Sequence, residues 1–138
     1  MPGALTYLPK TRQFLIRRNL ADGTPTPYVV LVNRDKGIVA GTIDLTDAGI
    51  TTGFRNVTYF KDSGEKKDSG EKLLFSASPT RYVVTDLAGA LLQEFNPRTA
   101  LGLLWRNPIT FNDKAKAFAT LDGGDFILFE LPKKAKKK

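Results

Sequence analysis

Lys10, Arg12, Arg17 and Arg18 stand within the first twenty residues with no acid among them, and the chain ends on Lys133-Lys134-Ala135-Lys136-Lys137-Lys138. Cationic runs of this kind attract phosphates, by direct Coulomb attraction and by releasing the counterions condensed on a polyanion. Aromatic residues beside further arginines supply a second chemistry. Phe54-Arg55 with Tyr59, and Trp105-Arg106, place rings and guanidinium groups where they could stack on nucleobases. Arg12, Arg17, Arg55, Lys133, Lys134, Lys136, Lys137 and Lys138 are therefore expected to contact phosphate, and Phe54, Tyr59 and Trp105 to stack.

Each of these residues also has a plainer reading. Five residues separate Phe54 from Tyr59, an odd spacing that sends them to opposite faces of a regular strand, so one of them belongs to the core. Trp105 shares an apolar helical face with Leu101 and Leu104, where a tryptophan more often plugs a core. Arg17 and Arg18 are adjacent, so one strand face can present only one of them.

The net charge of +7 is a property of the two ends. Residues 1–20 contribute +4, residues 21–131 contribute −2, and the final six residues contribute +5. If the first and last strands were neighbours, both basic ends would converge on one edge of the domain. A detachable polycation favours an acidic partner but does not by itself make the folded body a reader of nucleic acid. Lys133-Lys134-Ala135-Lys136 also fits a short nuclear-import pattern.

The chain contains no cysteine and no histidine. That removes disulfides, thiolate nucleophiles, the commonest general base and the commonest metal ligand together. Asp35, Asp86 and Asp122 sit in turns, where aspartate is favoured for local hydrogen bonds to the backbone, so they give no sign of an acid–base pair. No catalytic residue, metal or cofactor is expected. No apolar run approaches the ~20 residues of a spanning helix, and the N-terminus lacks the charged and apolar regions of a signal peptide. The expectation is a cytoplasmic or nuclear protein that is not secreted.

Hydrophobic residues make up 41% of the chain and charged residues 25%, the proportions of a folded domain. Short apolar or alternating runs, bounded by Gly, Pro, Asn or Asp, predict strands over 13–18, 28–33, 38–44, 53–60, 73–77, 81–86, 90–95, 109–111, 116–121 and 125–131. Asn96 as cap and Pro97 as first residue predict one short helix within 96–107, stopped by Pro108. Lys61-Asp62-Ser63-Gly64-Glu65-Lys66 is repeated as residues 67–72. With no apolar face to bury, 61–72 reads as a mobile loop. The organisation expected is an N-terminal extension (1–9), a β-rich domain (10–131) and a basic tail (132–138). The fold class expected is all-β with minor α, a single-domain antiparallel barrel or sandwich built from hairpins.

Thr52-Gly53-Phe54-Arg55-Asn56-Val57-Thr58-Tyr59 partly resembles the RNP1 pattern of RNA-recognition motifs, matching it at Gly53, Phe54, Val57 and Tyr59. In that family the pattern lies on a βαββαβ sheet whose aromatics stack on bases. This chain lacks the two helices of that arrangement, so what carries over is a stacking platform of Phe54, Tyr59 and Arg55. The function expected is non-enzymatic binding of single-stranded DNA or RNA. The alternative is a structural or protein-interaction module, for example a viral or assembly component, that self-associates through an exposed strand edge.

Overall fold

Leu73-Leu74-Phe75 shows no alternation of apolar and polar residues, which for a strand requires burial on both faces. The computed structural model, which describes residues 5–62, 70–103 and 107–132, provides that setting. Three sheets are formed by consecutive antiparallel strands. The first contains β1 (Leu5–Leu8), β2 (Gln13–Asn19), β3 (Pro25–Asn33) and β4 (Val39–Asp44). The middle sheet contains β5 (Val57–Lys61), β6 (Glu71–Ser78), β7 (Arg81–Thr85) and β8 (Leu91–Phe95). The third contains β9 (Thr110–Asn112), β10 (Ala117–Asp122) and β11 (Asp125–Phe129). Strands hold 53% of the described residues against 7% in helix, so the class is all-β, and the sheets do not close into a barrel.

Leu73, Phe75 and Val83 of the middle sheet pack with Leu15, Val29 and Ile43 of the first sheet. Their strand neighbours Leu74, Tyr82 and Val84 belong instead to a second cluster with Phe118 and Phe129 of the third sheet. Successive side chains point to opposite faces, so β6 and β7 serve two cores at once. Slipping either strand by one residue would exchange the two sets, which fixes the register strongly. In the second core Phe118 meets Phe60 edge-on at 4.9 Å and lies nearly parallel to Phe129 at 5.3 Å.

Several boundaries differ from the sequence expectation. Leu5–Leu8, assigned above to an extension, forms β1, in register with Gln13 to Ile16 of β2. The expected loop 61–72 is strand at both ends. Lys61 closes β5 opposite Glu71, and Phe60 lies opposite Lys72; residues 63–69 are outside the described residues. Lys72 is buried, with its Nζ 3.2 Å from Asp62. Charge alone made this segment look like loop, but a short partner and a strand ladder accommodate it.

The helix α1 (Pro97–Leu101) begins as expected, with Asn96 accepting from the N–H groups of Arg98 and Thr99. It ends early because Gly102 takes φ 72° and its N–H bonds Arg98 O, while the Leu103 N–H bonds Pro97 O. The Gly102 bond is that of an αL cap, and the Leu103 bond occupies one further carbonyl of the first turn. The first predicted strand (β2) and the last (β11) lie in different sheets, with the middle sheet between their cores, so they are not neighbours. The strands therefore do not bring the two ends to one edge, and Lys133 to Lys138 lie outside the described residues. Among the described residues no helix is long and apolar enough to cross a membrane.

Candidate anion-binding cleft

Arg17 shares a face of β2 with Leu15, which is fully buried, but stands beside the register shift between Arg17 and Asn19 where the strand pair opens. At that opening its Nη1 donates to the Phe54 carbonyl oxygen at 2.7 Å. The loop carrying Phe54 is held from the other side by the middle sheet. Arg55 N–H donates to Ser76 O, Asn56 N–H to Ser76 Oγ, and Ser76 N–H to Asn56 O. Gly53 lets this loop press close to β3: at φ 95°, an added Cβ would lie 2.6 Å from Pro25 Cβ.

The result is a cleft of about 290 Å³ lined by Arg17, Pro25, Thr52, Gly53, Phe54, Arg55 and Ala77. Two arginines line it and no carboxylate does. Arg55 is exposed, and among the described residues its side chain makes no hydrogen bond or ion pair. Arg12, Arg34 and Arg81 are engaged elsewhere. Arg12 pairs with Asp35 at 2.9 Å, Arg34 reaches the same carboxylate at 3.3 Å, and Arg81 pairs with Glu94 at 2.6 Å. A second cleft of about 250 Å³ lies over Phe60, Phe111 and Phe118, but Lys61 and Lys116 on its walls are matched by Asp62 and Glu130. Its charges cancel, so only the arginine cleft offers an uncompensated positive field of the two.

The residues singled out in the sequence separate clearly. Arg17 and Arg55 come together although they belong to different sheets' segments, and Phe54 joins them through its backbone. The Phe54 ring does not offer a stacking face: it is 4% exposed and meets Phe75 edge-on at 4.8 Å. Tyr59 is half-buried against the same core, with its hydroxyl donating to Glu71 Oε2 at 3.0 Å and its backbone N–H to Thr6 Oγ1 at 3.0 Å. The expected odd spacing fails because residues 53–56 are not regular strand, so Phe54, Val57 and Tyr59 all turn toward one core. Arg12 stands in the turn just before β2, pairs with Asp35, and does not line this cleft. Trp105, Lys133, Lys134, Lys136, Lys137 and Lys138 lie outside the described residues. The Thr52–Gly53 loop backbone and Pro25 were not identified from sequence; the signal was Gly53 itself, which read only as the start of a strand.

Asp86 accepts from the Ala88 and Ala90 N–H groups at 2.9 Å, the local turn role its sequence context indicated. Among the described residues no group of three or more carboxylates, histidines or cysteines could hold a metal.

Burial, and then the Glu71 hydrogen bond and charge, push the Tyr59 phenol up to about 12 from its ordinary 10.0. The fold therefore favours the protonated phenol. Its contribution to stability is complete below pH 10 and is lost as pH rises through 12. Absorbance titration should show a tyrosine ionising near pH 12, and Tyr59→Phe should remove that step. A late step that survives in Tyr59→Phe would assign it to another residue.

No protein-family model matches this chain, and no curated protein matches it in sequence.

Proposed function

We propose that this chain is a non-enzymatic binder of single-stranded DNA or RNA that grips phosphate rather than bases. The observation supporting this reading is the pairing of Arg17 and Arg55 across a cleft with no lining carboxylate. A guanidinium fork presents parallel N–H donors that match phosphate oxygens. Arg17 is preoriented by its bond to the Phe54 carbonyl, which lowers the ordering cost of forming that contact. The lysines of residues 133–138 would add affinity without sequence preference, because they act as point charges on the polyanion. With Phe54 buried and the Tyr59 hydroxyl engaged, base stacking has no support from those two rings.

Binding of a fluorescent single-stranded oligonucleotide, followed by anisotropy across a salt series, tests this. Each lost phosphate contact on a single strand lowers the slope of log K against log salt by about 0.7. Arg55→Ala should lower it by that amount, and deletion of residues 133–138 should lower it further while leaving measurable binding at low salt. An unchanged slope for Arg55→Ala, or no low-salt binding by the truncated chain, would overturn the role of the cleft. The second reading, a structural or assembly module that self-associates, is supported by a different feature, the exposed apolar edge of the third sheet.

A further inference from the structure

An unpaired strand edge presents a row of free N–H and C=O groups, and folded proteins usually blunt it with bulges, shortness, charge or a covering neighbour. Most described edges of this protein are blunted. β4 pairs through a register shift at Leu31/Val32 and β8 through one at Val84/Thr85. β9 is three residues long. β1 and β5 lie against each other, and the Tyr59 N–H donates to Thr6 between them. β11 differs: five uninterrupted pairs join it to β10, and among the described residues no strand pairs with its other edge.

The hairpin geometry identifies which groups face outward. Gly123 and Gly124 both have positive φ, 61° and 93°, between the paired residues Asp122 and Asp125. A two-residue turn of this kind makes Asp122 and Asp125 the closing hydrogen-bonded pair. Alternation then directs the backbone of Ile127 and Phe129 to β10, and that of Phe126 and Leu128 to the open edge. Ile127 and Phe129 turn their side chains to the second core. Phe126 and Leu128 turn theirs outward, 68% and 60% exposed, beside Leu121 at 53%.

We propose that two copies of this chain pair antiparallel through β11, about a two-fold axis at Ile127. In this register Phe126 of one copy lies opposite Leu128 of the other, and the reverse, so all four outward backbone groups of each pair are satisfied. The joined outer face carries two sets of Phe126, Leu128 and Leu121 as one apolar stripe. The antiparallel direction follows from the alternation, because each outward residue then exchanges both its N–H and its C=O with a single residue of the other copy. Three side chains and one short edge bury less than the about 800 Å² per partner of a standard interface, so the dimer is weak and depends on concentration.

Sedimentation velocity of the full chain, without nucleic acid, from low micromolar to near-millimolar concentration, should show a reversible monomer–dimer equilibrium. Leu128→Pro removes an N–H that points away from β10, and Phe126→Lys adds a charge to the open edge. Each should raise the dissociation constant by about ten-fold or more, as proline and lysine do at natural edges. Val39→Lys, on the bulged edge of β4, should leave the equilibrium unchanged. Circular dichroism checks the fold of each variant. If Leu128→Pro does not fold, Phe126→Lys decides alone, because its side chain is largely exposed. A wild-type chain that stays monomeric throughout would overturn the proposal. A dimer indifferent to the β11 substitutions, or one dissolved equally by Val39→Lys, would overturn it too.

Discussion

Phe54→Ala is expected to lower folding stability by about 3–5 kcal/mol, the range for deleting a buried phenylalanine ring. Its ring is almost fully enclosed and meets Phe75 edge-on in the core between the first and middle sheets. Alanine would leave a cavity bounded by Phe75 and the strands on both sides, which cannot all move inward without disturbing the second core. For a chain of this length the loss corresponds to a fall in Tm of about 10–15 °C. Phe54→Leu separates a core role from a stacking role. A leucine fills much of the space but has no π-face, so it should retain most stability and leave oligonucleotide affinity unchanged at a given salt. A large loss of affinity in folded Phe54→Leu would restore Phe54 as a contact residue.

The strands were legible because their signal is local. Short apolar runs such as Gln13 to Arg18 and Arg81 to Asp86, bounded by turn residues, lie within a residue or two of β2 and β7. What the sequence concealed depends on distant parts of the chain. Leu5–Leu8 is short and flanked by Pro2, Gly3 and Pro9; it becomes β1 because β2 on one side and β5 on the other offer it partners. Glu71 and Lys72 read as loop by composition. In the fold their ladder with β5, the Tyr59 hydroxyl and the Asp62 carboxylate make strand the better state. The candidate site followed the same division. Its residue types, Arg17 and Arg55, stand out in the sequence, but their meeting rests on a carbonyl bond between segments far apart in the chain. The platform failed for the opposite reason. The irregular backbone before β5 turns Phe54 and Tyr59 to one side after all, but that side is the core.

Gly53→Ala is expected to cost about 3 kcal/mol, more than its loss of positive-φ freedom alone, which for an L-residue costs about 1–2 kcal/mol. The excess comes from contact. A Cβ at position 53 would sit 2.6 Å from Pro25 Cβ, with Pro25 Cα and Thr26 O behind it at 3.6 Å. A proline ring has no rotamer by which to withdraw, so the loop or the start of β3 must shift. Gly124 provides the internal comparison, because its φ of 93° nearly equals the 95° of Gly53 and an added Cβ there meets nothing within 4 Å. Gly124→Ala should therefore show the conformational cost alone. Denaturant unfolding of the two variants gives the steric term as their difference, and Gly53→Ala combined with Pro25→Gly should recover about 1 kcal/mol or more of coupling. The displaced loop would also carry the Phe54 carbonyl away from Arg17 and widen the cleft. Oligonucleotide binding by Gly53→Ala should then weaken even where the protein remains folded, while Gly124→Ala binds as the wild type does. Equal stability losses in the two glycine variants would mean that the loop yields freely, and that its approach to Pro25 does not hold Arg17 and Arg55 in place.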